Sequence, residues 1–172
     1  MIPEIESCGR QLAGADPLAV AYVSAGAALV GAALGFAGPQ LVAWWQKRKR
    51  HRAYWSAMSA EIDLCREHAE AYLKDRVVAP LYRLSTIAYA NGFPSLLGDG
   101  AVTGDETKTV LAFYGLVDQI NRGLEQANDA LVDMKMTNKA VAENLRLDEK
   151  CKHMIAEGGP YDAVRAVITK HV

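Results

Sequence analysis

The fold is organised around the stretch LAVAYVSAGAALVGAALGFAGPQLVAWWQKRKRHR, residues 18–52. Leu18 to Trp45 are 28 residues without a formal charge, and Lys47 to Arg52 then bring six basic-type residues in succession. As a helix, the uncharged part would be about 42 Å long at about 1.5 Å per residue, against a bilayer hydrocarbon core of about 30 Å. The sequence therefore predicts one transmembrane helix followed by a soluble domain.

Two other interpretations of this stretch fit less well. A cleaved signal peptide begins with basic residues, whereas residues 1–17 carry Glu4, Glu6 and Asp16 against Arg10 alone. A buried core helix would not run for 28 residues without a charge and then end in a basic cluster. We therefore divide the chain into a short extracytoplasmic tail over 1–16, a transmembrane helix over 17–46, a basic juxtamembrane segment over 47–52 and a cytoplasmic helical domain over 53–172.

The basic segment sets the expected orientation. Five of the 19 Lys and Arg of the chain lie in it, which leaves 14 against the 20 Asp and Glu. Positive charge beside a span keeps that end in the cytoplasm and attracts anionic lipid headgroups, at about 1 kcal/mol per residue. We expect the N-terminus outside, the C-terminus in the cytoplasm, and membrane lipid as a partner. The residues assigned to topology and lipid headgroups are Lys47, Arg48, Lys49, Arg50 and Arg52.

The span is rich in Ala and Gly, and this composition predicts helix association. Ala27, Gly31 and Gly35 recur every four residues, so they share one helix face and contain a full GxxxG motif. Small residues let a second helix approach closely in lipid. The alternative is that any Ala/Gly-rich span produces this spacing by chance. Further along, Gly38-Pro39 should bend or loosen the helix, and Trp44-Trp45 lie where an aromatic belt belongs.

The cytoplasmic part begins with a regular apolar pattern. Steps of three and four residues place six side chains on one helix face: Trp55, Met58, Ile62, Cys65, Ala69 and Tyr72. Nothing breaks helicity between Gln40 and about Val78, so the span and this helix should form one rod that Pro80 ends. A shorter second helix with Leu81, Leu84 and Ala88 should stop at Asn91-Gly92, followed by a loop over 93–104.

The C-terminal half is predicted to contain three more helices. Thr103 and Glu106 have the spacing of a capping box, which opens the most regular apolar seam of the chain. This seam consists of Val110, Phe113, Val117, Ile120, Leu124, Ala127, Leu131 and Met134. Helices over 137–156 and from Pro160 onward should follow, separated by Gly158-Gly159. The predicted fold class is all-α: one transmembrane helix continuing into a cytoplasmic antiparallel helical bundle.

Two segments carry a resemblance. They are Glu61-Ile-x-Leu-Cys65 and Leu111-x-Phe113-Tyr114-x-x-Val117-x-x-Ile120-Asn121, joined through a loop with Phe93-Pro94 and Gly98. Over residues 20–130 the chain resembles a group of uncharacterised bacterial single-span proteins, which have a membrane helix and a cytoplasmic helical domain. Cys65 stands where that group would have a polar residue. The resemblance implies a bacterial or phage origin, and hence the bacterial inner membrane, but no activity.

Candidate chemistry is sparse. Glu61, Cys65 and His68 stand at i, i+4 and i+7 on one helix, and Cys151-x-His153 could complete a metal set. We interpret them instead as core cysteines with surface histidines, and we expect no metal and no cofactor. Metalloprotease, phosphate-loop, GxSxG and CxxC motifs do not occur, and the acidic residues should lie on solvated faces. The sequence therefore predicts a protein that is not an enzyme.

Three classes of function remain open. The first is an accessory or scaffolding subunit that docks in a larger membrane assembly, or with its own copies, through the Gly-rich span and the cytoplasmic bundle. The second is a small phage-type lysis protein, although lysis would not need a cytoplasmic domain of some 120 residues. The third is a membrane-anchored enzyme. Nucleic acid is not an expected partner, because residues 53–172 hold 17 acidic against 13 basic side chains.

Overall fold

The computed structural model describes residues 17–75, 83–132 and 138–172. Over these ranges the chain is helical and has no strand, so the all-α class is confirmed there. The helices are α1 (Pro17–Asp75), α2 (Ile87–Gly98), α3 (Gly104–Val132), α4 (Asn138–Ile155) and α5 (Pro160–Thr169). The predicted tail, the Asp16 cap, the stop at Pro80 and the seam position Met134 lie outside the described residues.

Helix α1 includes both the apolar stretch and the seam that begins at Trp55, which confirms the prediction of a continuous helix up to Asp75. Pro39 lies inside this helix, where its missing N–H removes one backbone hydrogen bond. Among the described residues, α1 is the helix long and apolar enough to cross a membrane, and none of its apolar window is buried. The chain divides into two compact units, one up to Lys47 and one from Arg48 onward.

The unit from Arg48 onward has one hydrophobic core. All six α1 seam residues are buried in it, and so are the α3 seam residues from Val110 to Leu124. Helix α3 packs against α4 and α5, which add Leu147, Met154 and Val164 to the core. Each fully buried side chain of this size stabilises the fold by about 1.5–3 kcal/mol. The 3,4 apolar spacing therefore identified the core faces of α1 and α3 correctly.

The second helix is present, but its predicted bounds were wrong. Helix α2 runs from Ile87 to Gly98 and contains both Gly92 and Pro94, whereas Leu84 precedes it in a non-helical segment. Glycine and proline in a helix interior cost about 1 and 3 kcal/mol, respectively. That cost is offset because Phe93 and Leu96 are buried in the core. The predicted loop over 93–104 consequently shrinks to the five residues that separate Gly98 from Gly104.

In the C-terminal half, the predicted Thr103–Glu106 cap and the stop at Gly158-Gly159 before Pro160 are confirmed. The amide of Thr103 donates to Oε2 of Glu106 at 3.0 Å, and the amide of Glu106 donates to Oγ1 of Thr103 at 3.4 Å. Gly158 ends the α4 region with a positive φ of 69°, which glycine adopts without strain. At Gly159 a Cβ would stand 2.7 Å from the Ala156 carbonyl oxygen, so this turn requires the absence of a side chain.

Candidate functional site

The small residues of the span leave an open face in the unit up to Lys47. Ala27, Gly31 and Gly35 are exposed, and their spacing of four puts them on one side of α1. No atom of the described chain lies within 4 Å of where a Cβ would stand on Gly31 or Gly35. A larger side chain there would therefore not collide with the protein's own packing.

Large apolar side chains elsewhere on this part of α1 are also exposed. Phe36 is 78% exposed, Leu29 is 72% exposed and Trp44 is 57% exposed. Burying apolar area stabilises by about 25 cal/mol per Å², so leaving these groups in water would forgo several kcal/mol. A continuous exposed apolar surface of this kind is typical of contact with lipid or another protein.

The basic segment has a more specific environment than its sequence alone indicated. Nε2 of His51 lies 2.7 Å from Oδ2 of Asp99, and Nη2 of Arg50 lies 3.3 Å from the same oxygen. Asp99 follows α2 directly, so the end of that helix is tied to this part of α1. Arg48 and Arg52 line a nearby cavity. Lys47 is partly buried and Lys49 is exposed.

A buried carboxylate is the most connected polar group of the core. Glu61 is only 6% exposed. Its Oε1 accepts hydrogen bonds from the Ser85 hydroxyl and the Ala88 amide, both at 2.8 Å. Its Oε2 accepts from the Tyr89 amide and the Tyr114 hydroxyl, both at 2.9 Å. Glu61 thus satisfies two amides at the start of α2 and joins α1, α2 and α3.

The environment of Glu61 alters its neighbour Tyr114. Burial raises the pKa of the Tyr114 phenol far above its usual range, and the Glu61 carboxylate adds to this effect. The phenol therefore remains a hydrogen-bond donor at every physiological pH. Tyr114 also stacks on Tyr89, with ring centroids 4.0 Å apart. Beside these groups lies an apolar groove of about 500 Å³ between α1 and α2, with Ile87 and Gly92 in its wall.

Residues of the segments 61–65 and 111–121 also contact the connector that precedes α2, residues 83–86. The Asn121 side chain accepts a hydrogen bond from the Leu84 amide and donates one to the Leu84 carbonyl oxygen, both at 2.9 Å. The Cys65 thiol donates to the Ser85 carbonyl oxygen at 3.3 Å. Glu61, Cys65, Tyr114 and Asn121 therefore hold residues 84–89 in place. What these side chains do is position a connector and a helix start.

The prediction that acidic residues lie on solvated faces was wrong for Glu61 and for Asp148, which is 5% exposed. A signal for Glu61 was present, because it stands three residues after Met58 and four before Cys65 and so fits the same apolar spacing. Asp63, on a neighbouring position, binds α5: the Tyr161 hydroxyl donates to its Oδ1 at 2.7 Å, and Arg165 donates to the same oxygen. Pairwise spacing along one helix could not identify these partners.

Cys65 and Cys151 are core groups, as predicted. Burial raises the pKa of the Cys65 thiol to about 12, with a further contribution from the Glu61 charge. Burial likewise raises the pKa of Cys151 to about 12, with a contribution from Asp148. Both are therefore protonated at neutral pH, and a thiol is neither a good nucleophile nor a metal ligand. In the described ranges, no group of three or more His, Cys, Asp or Glu side chains is arranged to hold a metal ion.

Comparison with known proteins adds no relative. The chain matches no protein-family model, no curated protein and no solved structure.

Proposed function

We propose that this chain is a non-enzymatic, single-span protein of the bacterial inner membrane that acts as an accessory or scaffolding subunit. It docks in a larger membrane assembly, or with a second copy of itself, through the Ala27, Gly31 and Gly35 face and through its cytoplasmic helical bundle, which we take to be antiparallel. The observation that carries the proposal is the contrast along α1. Its first part exposes its apolar side chains, while its last part buries its seam in a complete core.

The polar chemistry of the described residues supports a binding role. The two carboxylate oxygens of Glu61 accept four hydrogen bonds, so this side chain holds α2 and α3 in position. Cys65 and Cys151 are buried thiols with raised pKa values. Each of these groups, which could have served as base or nucleophile, is used for packing and helix positioning.

The docking face is tested by Gly31→Ile combined with Gly35→Ile. Both sites are open in the chain itself, so the substitutions should leave insertion and the bundle intact. In lipid, association depends on close backbone approach, which isoleucine prevents. We expect the variant to stay in the membrane fraction and to lose self-association in a membrane dimerisation reporter, or to lose the protein that co-purifies with the wild type in mild detergent.

Phe36→Ala and Leu29→Ala are the controls, since both side chains are exposed at other positions of the span. They should keep the partner. If the double isoleucine variant retains every partner, the glycines only reflect composition and the anchor is passive. A fall in turbidity on expression of the wild type would favour the lysis protein instead.

The orientation is tested by labelling Cys8 on intact cells with a membrane-impermeant maleimide. Cys65 and Cys151 are buried, so the label should report on Cys8, and a Cys8→Ser variant should take up none. Labelling of intact cells is the expected result, because the basic segment holds the other end inside. Labelling only after lysis would reverse the topology.

A further inference from the structure

A cavity of about 310 Å³ opens between α1 and the residues that follow α5. Three permanently cationic side chains line it, from Arg48, Arg52 and Lys170. The imidazoles of His51 and His171 complete its polar wall, and no Asp or Glu side chain of the described residues lines it. Its volume is at the lower end of the range for small-ligand sites. The cavity therefore has the size and charge of a site for a small anion.

The wall of the cavity is held in place by contacts among its own residues and with two neighbouring carboxylates. The His171 ring stacks on Trp55 with centroids 4.5 Å apart and planes 7° from parallel. Nε2 of His171 lies 3.2 Å from Oε1 of Glu106, just as Nε2 of His51 lies 2.7 Å from Asp99. Trp55 is itself buried, so it is a rigid support. These contacts bring Lys170 to Arg52 across more than one hundred residues of sequence.

The two supporting carboxylates do not cancel the charge. Asp99 and Glu106 each contact a histidine from outside the lining, and Arg50 contributes a further cation at Asp99. With the α-carboxylate of Val172 counted as well, the four cationic side chains of Arg48, Arg50, Arg52 and Lys170 stand against three carboxylates around the cavity. Guanidinium groups bind phosphate oxygens through paired, charge-assisted hydrogen bonds, and ammonium groups add a compact point charge. This donor set suits a phosphate group, which offers several oxygens and up to two negative charges.

We propose that this cavity is a phosphate-binding site, in which Arg48, Arg52 and Lys170 bind the anion and the oriented rings of His51 and His171 form its wall. The phosphate can come from the headgroup of an anionic lipid or from a soluble phosphate compound. The lipid source rests on the proposed membrane location, because residues 48 and 52 follow the apolar stretch closely in sequence. The soluble source does not depend on that location.

The test uses the full chain in neutral maltoside micelles, with any tag at the N-terminus because Val172 lines the cavity. One arm adds phosphatidic acid to the micelles, with the zwitterionic lipid phosphatidylcholine, whose net charge is zero, as the comparison. The other arm adds inorganic phosphate or inositol hexakisphosphate, with chloride at equal ionic strength. Binding is followed by Trp fluorescence and by the shift in melting temperature. We expect saturable binding in at least one arm, and the arm that responds identifies the source.

The variant Arg52→Gln with Lys170→Gln removes two ligands, both exposed, so the bundle should fold normally. Losing two charge-assisted contacts should weaken phosphate binding by about tenfold or more. Lys74→Gln with Arg122→Gln is the matched control, because it removes the same charge from exposed positions outside the basic segment and outside the cavity lining. It should change the affinity by less than about twofold, given that exposed distant charges are screened by salt.

Equal loss in both double variants would overturn the proposal, since binding would then come from the overall charge of the protein and not from this cavity. The absence of saturable binding in both arms would overturn it as well. Carbonate extraction of cell membranes tests the anchor independently. The phosphate site and the membrane location can therefore fail separately.

Discussion

The Tyr114 hydroxyl donates a hydrogen bond of 2.9 Å to Oε2 of Glu61, although 53 residues separate them in sequence. The same carboxylate accepts the amides of Ala88 and Tyr89, so one buried side chain serves three helices. A buried carboxylate with several donors is favourable only as long as all of them stay in place. The connection between α1, α2 and α3 should therefore be sensitive to changes at Glu61.

Glu61→Gln should destabilise the bundle by about 2–3 kcal/mol. The amide keeps the shape but loses the charge, and its NH2 group then faces donors in place of an acceptor, leaving buried polar groups unsatisfied. The measurement is urea unfolding of the full chain in detergent, followed by far-UV circular dichroism. Glu67→Gln, on an exposed position of the same helix, should change the stability by less than about 0.5 kcal/mol. Equal midpoints for the two variants would contradict a structural role for Glu61.

Gly92→Val should also destabilise the bundle, by about 1–3 kcal/mol. A Cβ at Gly92 would lie 3.2 Å from Cβ of Tyr54, so additional methyl groups must push α2 away from α1. Gly115→Val is the control, because it too lies inside a helix but has open space around its Cβ position. Thermal unfolding should show a loss at position 92 and little change at position 115. If both positions tolerate valine, α2 does not need its close approach to Tyr54.

Cys65 and Cys151 should be unreactive in the folded protein. Their pKa values of about 12 leave little thiolate at pH 8, and both side chains are buried. In a Cys8→Ser background, a thiol reagent should detect neither cysteine before denaturation and both afterwards. Ser56→Cys, at an exposed position of α1, should react at once and so verify the reagent. Rapid native reaction of either buried thiol would show that the core opens easily.

Glu106 should make the stability depend on pH in the acidic range. The Thr103 amide hydrogen bond lowers the pKa of this carboxyl below its ordinary value of 4.5; partial burial opposes the shift, and the Thr103 hydroxyl and His171 add to it. A carboxyl with a lowered folded pKa contributes stability that is complete above its unfolded value and is lost as pH falls through the folded one. The melting temperature of Glu106→Gln should therefore be below that of the wild type at pH 7.

That gap should begin to narrow below the ordinary pKa of 4.5 and should close as the pH falls through the lower pKa of the folded state, where the wild-type carboxyl becomes protonated as well. Melting curves of both proteins between pH 7 and pH 3 measure it. Glu157→Gln, at an exposed position, should follow the wild type throughout. A gap that stays constant down to pH 3 would mean that the charge of Glu106 is not what caps α3.

Patterns of period 3.6 could be interpreted from the sequence, because a helix places such residues on one face wherever it lies in the fold. The unbroken helix from Pro17 to Asp75, the core faces of α1 and α3, the Thr103–Glu106 cap and the turn at Gly158 all follow from neighbours in sequence. Composition alone likewise identified the apolar stretch and its basic end. These features depend on local chemistry, so one chain is enough to predict them.

The tertiary structure decided the features that depend on distant partners. Helix α2 passes through Gly92 and Pro94 because burial of Phe93 and Leu96 outweighs the low helix propensity of glycine and proline. Rules based on local sequence do not include this gain from tertiary burial. Glu61 can be buried because Tyr114 and the start of α2 supply its donors. The basic cavity needs Lys170 beside Arg52, which the stacking of His171 on Trp55 brings about. Such contacts are set by how the helices pack, and helical spacing within one segment carries no information on them.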